Sequence, residues 1–228
     1  YRLAGQKGFD LIAQIIAELE KRDIQLVVLG TGEAQFEEMF RWYGRNHADK
    51  FSANICFDNV LAHKIYAACD AFLMPSQFEP CGLSQMIAMR YGSIPVARET
   101  GGLRDTVLSY NKFTDEGNGF TFFNYNAHDM LHVVQLAIKT YSDDKKVWST
   151  LVKRAMKGSY GWDHSAMDYI KLYKLLSEGD GTEEPGKAVQ EEAAVPPKSP
   201  RARKTAPKAA APVVKSDEKD DDPGMAEE

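Results

Sequence analysis

No apolar run in the 228 residues is long enough to cross a bilayer, and the chain does not open on a charged-then-apolar signal segment. Membrane insertion and secretion are therefore not expected, and the expected compartment is the cytosol, or a plastid for a plant or algal source. Cysteine is scarce: Cys56, Cys69 and Cys81 form an odd set with no C-x-x-C pair. Cys56 and Cys69 stand in apolar segments, where small buried thiols are common, so a zinc site is not expected. The histidines His47, His63, His128, His132 and His164 are scattered and never fall into a metal-binding spacing such as H-E-x-x-H. No metal and no cofactor is implied. Strong charge of one sign is also lacking. The net charge is −5, with part of the negative excess in the C-terminal stretch, which gives no argument for nucleic-acid binding. Aromatic residues vanish beyond Glu178, where Pro, Ala, Lys, Glu and Asp dominate. Such a segment cannot bury enough apolar surface to offset its ordering entropy, so residues 179–228 read as a disordered tail. Its basic block (Arg201, Arg203, Lys204, Lys208) and acidic block (Asp217 to Asp222) are read as solvated.

The rest has the apolar content of one globular core. Phe9, Ile12, Ile15, Ile16 and Leu19 mark a helix between Lys7 and Lys21, and Ile24 to Leu29 reads as a strand ending at Gly30-Thr31-Gly32. Alternation continues with a helix near 35–47, a strand near 54–57, a helix near 61–69 and a strand at 71–74. A helix after Gly82 and strands at 94–97 and 120–123 follow. Asn126 caps a further helix with Asp129 in its first turn, and helical stretches surround 147–156 and 165–176. This is the pattern of α/β architecture, a parallel sheet wrapped by helices.

Chemistry gathers in the loop Phe78-Glu79-Pro80-Cys81-Gly82-Leu83-Ser84-Gln85, between the strand Ala71-Phe72-Leu73-Met74 and a helix marked by Leu83, Met86, Ile87 and Tyr91. A loop of this kind aims backbone N–H groups and the positive end of a helix dipole at an anion, while Glu79 stands at the rim. It reads as a sugar-phosphate site. Glu79 has no His, Lys or Cys near it in sequence to make a triad, and an alternative role for it is to cap the following helix. Thr100-Gly101-Gly102-Leu103 is a second candidate anion turn, paired glycines before a helix. Gly30-Thr31-Gly32-Glu33 lacks the third glycine of G-x-G-x-x-G and reads as a tight turn lining the cleft.

These segments, with Arg2-Leu3-Ala4-Gly5-Gln6-Lys7-Gly8, Arg90-Tyr91-Gly92-Ser93-Ile94-Pro95-Val96, Thr100 to Val107, Gly117-Asn118-Gly119-Phe120 and Asn124-Tyr125-Asn126-Ala127, closely resemble the bacterial glycogen synthase and plant starch synthase family. The resemblance runs from Arg2 to about Leu176. It implies the second of two Rossmann-like domains of a GT-B glycosyltransferase, doubly wound, with residues 1–178 binding a nucleotide sugar. No apolar run precedes Arg2, so the first strand of that domain and the entire first domain, with its Lys-x-Gly-Gly-Leu motif, are expected to be missing from this chain. The implied reaction is retaining transfer of glucose from ADP-glucose to the non-reducing end of an α-1,4-glucan, the fragment alone being inactive. Partners implied are the donor, the glucan acceptor and the absent N-terminal domain.

Residue by residue, the resemblance assigns Arg2 and Lys7 to the diphosphate, flanked by Gly5 and Gly8, which allow close backbone approach. It assigns Glu79 to the donor glucose and gives Gly82, Leu83 and Ser84 as backbone N–H donors. Phe57 falls where the family sets a ring against adenine; a core aromatic at a strand end is the other reading. Relatives in the wider group carry a second carboxylate eight positions after the first, where this chain has Ile87. That departure fits the ADP-glucose branch and leaves ribose recognition unassigned. Two rivals remain: another retaining nucleotide-sugar glycosyltransferase, and a non-catalytic module binding ADP-sugar or glucan.

Overall fold

A computed structural model describes residues 2–178. The disordered-tail reading for 179–228 lies outside them. The chain divides into two compact units at Tyr169/Ile170. The first opens with strand β1 (Arg2–Leu3), a 3₁₀ turn (Gly5–Lys7) and helix α1 (Phe9–Glu20), followed by β2 (Leu26–Leu29), β3 (Thr31–Gly32), α2 (Ala34–Asn46), β4 (Phe51–Asn54) and α3 (Asn59–Ala68). Then come β5 (Ala71–Met74), α4 (Ser84–Arg90), β6 (Ile94–Arg98), α5 (Gly101–Thr106) and β7 (Phe120–Phe122), and finally α6 (Ala127–Asp143), α7 (Lys145–Lys157) and α8 (Trp162–Glu178). The described part of the second unit, residues 170–178, is the end of α8.

Every described strand pairing is parallel, in three hydrogen-bonded groups: β1 with β3, β2 with β4, and β5-β6-β7 with β6 central. Registers run Leu26↔Phe51, Ala71↔Ile94 and Val96↔Phe120. At least one helix lies along the chain between the two strands of every pair, as parallel crossovers require. Four of the five β6 residues are buried, the mark of a strand covered on both faces.

The helices form where apolar spacing and caps coincide. α1 buries Phe9, Leu11, Ile12, Ile15, Ile16 and Leu19, a stripe at helical period, against Phe36 and Phe40 of α2 and Met130 of α6. Gly8 starts α1 at φ 81°, and a Cβ there would stand 2.3 Å from the Pro75 carbonyl oxygen, so no other residue fits. The Asn126 side chain accepts the N–H groups of His128 (2.8 Å) and Asp129 (3.2 Å), capping α6 as expected from its sequence. A second cluster joins α4, β6, β7 and α7 through Met89, Ile94, Phe120, Trp148 and Leu151, with the Phe120 and Trp148 rings stacked.

Three expectations change. The strand expected at 54–57 lies at 51–54, because β4 takes its register from β2 and ends where Asn54 bonds back to the Val28 carbonyl. The apolar Ile55 and Cys56 fall beyond it. The expected turn at Gly30-Thr31-Gly32 is in part a strand, since Thr31 and Gly32 pair with Arg2 and Leu3. Cys56 and Cys81 are exposed and Cys69 is half-buried, so the burial expected for Cys56 is not found. No helix among the described residues is long and apolar enough to cross a membrane.

Candidate active site

Parallel strands deliver their following loops to one edge of a sheet, where ligands of open α/β folds collect. Here β5 and β6 run side by side in register, so the loops after Met74 and Arg98 leave from the same edge. Around the first of them Lys7, Glu79, Gly101 and Gly102 come together.

Lys7 and Glu79, 72 positions apart, meet there: the Lys7 ammonium donates to Glu79 Oε2 at 2.6 Å, and both side chains are mostly buried, 24% and 12% exposed. The Ser76 hydroxyl donates to the same oxygen at 3.2 Å. The 3₁₀ turn carrying Lys7 is sewn to the Glu79 loop by the Gln77 N–H, which donates to the Gln6 carbonyl at 2.9 Å. Charge and loop are thus locked together by neighbouring bonds. The capping alternative for Glu79 does not hold, because α4 begins only at Ser84, with Leu83 as its N-cap residue, and the Glu79 carboxylate is spent on Lys7 and Ser76.

Arg2 lies in β1, close enough to Glu33 to help hold its carboxyl below the usual range, after the hydrogen bonds from Gln35 and the Gly5 N–H. Of the two glycines flanking the basic pair, only Gly8 is crowded by backbone; nothing lies within 4 Å of where a Gly5 Cβ would stand. Gly82, buried at φ 71°, precedes exposed Leu83 and half-buried Ser84 at the start of α4, a helix of seven residues. Gln85 is fully buried behind them, and its side-chain nitrogen donates to the Gly82 carbonyl (2.6 Å) and the Thr106 hydroxyl (3.0 Å), binding α4 to α5.

Thr100, Gly101 and Gly102 sit at the start of α5, directly against the Glu79 loop. A Cβ on Gly101 would stand 2.1 Å from the Glu79 carbonyl oxygen, and the Gly102 N–H donates to the Glu79 and Pro80 carbonyls, both at 3.2 Å. The glycine pair lets two backbones touch, and its Gly102 N–H is engaged with protein. Phe57 is 89% exposed, ahead of α3, so the core-aromatic alternative is excluded and a ring face is open. Ile87 is half-buried on α4. No group of three or more His, Cys, Asp or Glu side chains among the described residues is placed to hold a metal ion.

Sequence reasoning missed Ser76, Arg98 and Tyr125. Arg98 bonds to the Gln77 and Phe123 carbonyls, and Tyr125 to Asp10 and Gly5. No spacing marks Arg98 and Tyr125, whose partners are backbone carbonyls or a carboxylate distant in sequence, whereas Ser76 stands only three positions before its partner Glu79. Burial, then the Asp10 hydrogen bond, drives the Tyr125 hydroxyl well above the ordinary phenol range, so it stays a proton donor.

The family described as glycosyl transferases group 1 matches residues 1–150. A glycogen synthase of Clostridioides difficile (strain 630) is 59% identical over 173 residues, 76% of this chain and 36% of its own length. One from Clostridium botulinum (strain Alaska E43) is 56% identical over 176 residues, 77% of this chain and 37% of its own. The chain therefore spans little more than a third of the curated relatives it matches. Among solved structures, the catalytic domain of starch synthase IV from Arabidopsis thaliana, bound to ADP and acarbose, superposes with a TM-score of 0.70 at 37% identity, over 78% of this chain and 38% of that one. Sucrose-phosphate synthase from Thermosynechococcus elongatus superposes at 0.57 with 20% identity over 78% of this chain and 44% of that one, a likeness of fold alone.

Proposed function

The chain belongs to the glycosyl transferases group 1 family, and from that premise we propose that it is the donor-binding part of a glucan synthase. In the complete protein, glucose passes from ADP-glucose to the non-reducing end of an α-1,4-glucan with retention of configuration. The observation that carries this reading is the Lys7–Glu79 pair at the strand ends, in a segment more than half identical to glycogen synthases. ADP is the proposed nucleotide because starch synthase IV was solved with it. The acceptor is proposed to be held by a part of the enzyme outside these residues.

In this reading the diphosphate competes with Glu79 for the Lys7 ammonium, and Arg2 adds a second positive charge. Both stabilise the charge that grows on the leaving oxygen as the glycosidic bond to phosphate breaks. The acceptor hydroxyl attacks the same face of the sugar. Its oxygen bonds the anomeric carbon while its proton passes to the departing phosphate oxygen, so the step balances without a protein base. Glu79, freed from Lys7, faces the sugar and stabilises its oxocarbenium charge. Gly82, Leu83 and Ser84 offer N–H groups to sugar and phosphate, Thr100 and Gly101 close the wall beside them, Gly102 fixes that wall to the Glu79 loop, and the exposed ring of Phe57 stacks on adenine.

The test is incorporation of labelled glucose into glycogen by the complete protein, with ADP-glucose and UDP-glucose compared. Faster transfer from ADP-glucose is expected. Preference for UDP-glucose would make it another nucleotide-sugar transferase, and binding of ADP without transfer would leave a regulatory module.

A further inference from the structure

Lys7 and Glu79 arrive from segments 72 positions apart, one on a 3₁₀ turn and the other on a loop. Two residues outside the site cross-tie these segments. The Tyr125 hydroxyl donates to the Asp10 carboxylate on α1 and shares its proton with the Gly5 carbonyl at 3.1 Å, pinning the first residue of the Lys7 turn. Asp10 also lies three residues beyond Lys7, so the turn is held from both sides. The Arg98 guanidinium, at the end of β6, reaches the Gln77 carbonyl at 2.7 Å and the Ser76 carbonyl at 3.5 Å, while its Nε donates to the Phe123 carbonyl at 3.2 Å. The loop that carries Glu79 is thereby tied to the loop after β7. Arg98 lies 5.4 Å above the Tyr125 ring, so the two ties touch and form one bracket.

We propose that Arg98, Tyr125 and Asp10 are positioning residues that keep the Lys7 ammonium and the Glu79 carboxylate in register for a nucleoside diphosphate sugar. The chemistry is that of a fork and a hinge pin. Guanidinium is planar and always charged, so it spans carbonyls from two loops in one fixed geometry, which a lysine cannot. The tyrosine is kept protonated by its burial and by Asp10, so its bond to the turn persists across the working pH range. A displacement of about 1 Å at reacting groups can cost on the order of 100-fold in rate, which is the leverage such a bracket has. What the pair does rests on the donor-site reading; how it is held does not.

Two measurements on the complete protein decide it. In a double-mutant cycle read by calorimetry with ADP, Tyr125→Phe is expected to weaken binding about 10-fold, and Lys7→Ala roughly 10- to 100-fold, as for a lost charge-assisted contact. If Tyr125 acts through Lys7, Tyr125→Phe costs less than about 2-fold once Lys7→Ala is present. Equal losses in both backgrounds overturn the proposal. Independently of any nucleotide, acylation of Lys7 by acetic anhydride, followed by mass spectrometry, is expected to speed up several-fold in Tyr125→Phe and in Arg98→Lys. Exposed Lys153 serves as the unchanged reference. An unaltered Lys7 rate in both folded variants also overturns it. If the wild type fails to bind ADP, the donor reading falls and the acylation result alone decides the bracket.

Discussion

Glu79 and Phe57 show how differently two candidate site residues are held. The Glu79 carboxylate is 12% exposed and bonded to Lys7 and Ser76, so its replacement by Gln removes a charge while leaving the loop's backbone bonds to Gly102 in place. In the complete protein, Glu79→Gln is expected to lower kcat by roughly 100-fold or more with ADP affinity little changed, the effect of losing one preorganised electrostatic group. Steady-state kinetics with ADP-glucose checks it, and normal turnover would leave Glu79 a structural partner of Lys7. Phe57, 89% exposed, contributes little to the core. Phe57→Ala should leave the melting temperature within a few degrees and weaken ADP binding by about 1–3 kcal/mol, the worth of one base stacked on a ring. Phe57→Tyr should be close to silent. A large loss of stability with nucleotide preference unchanged would return this ring to a structural role. At this scale, local pattern pointed to Glu79 and the family resemblance to Lys7 and Phe57; exposure removes the core reading of Phe57 and bonded partners the capping reading of Glu79, while their roles toward a donor stay proposals.

Among elements, those with strong local signals were legible and those defined by partners were not. α1 follows from the spacing of Ile12, Ile15, Ile16 and Leu19, and α6 from Asn126, because period and cap act within one turn of chain. Asn126→Ala is expected to cost about 0.5–2 kcal/mol, read by denaturant unfolding with an unchanged m-value, since two N–H groups of the first turn lose their acceptor. No measurable cost would mean that water caps α6 equally well. β1 and β3 each contain two residues and were not legible, since nothing but their mutual pairing makes them strands. The same holds for β4: residues 51–54 read F-S-A-N, and only their register with 26–29 draws the boundary away from the more apolar Ile55 and Cys56.

For the whole molecule, the proposed division of labour predicts that residues 1–228 expressed alone transfer no glucose from ADP-glucose to glycogen, although weak ADP binding is compatible with it. Ligands of α/β enzymes commonly lie between domains, and an acceptor must sit within bonding reach of the donor carbon. Incorporation of labelled glucose by the purified chain would contradict this, and activity restored by adding the remainder of the enzyme would support it. The α/β class and most of the helices and strands were legible in the sequence, because helical period, caps and glycine-rich loops are written in neighbouring positions; the family and most of the candidate residues came from the resemblance of whole segments to glycogen and starch synthases. Only the tertiary structure decided that Lys7 meets Glu79, that Gly101 and Gly102 serve contact with the Glu79 loop, and that Arg98 and Tyr125 tie both sides of the pair. The Lys7–Glu79 ion pair joins side chains 72 positions apart, and the other contacts reach residues about twenty to 120 positions away through carbonyl oxygens that every residue possesses, so the order of side chains along the chain carries no mark of them until packing brings them together.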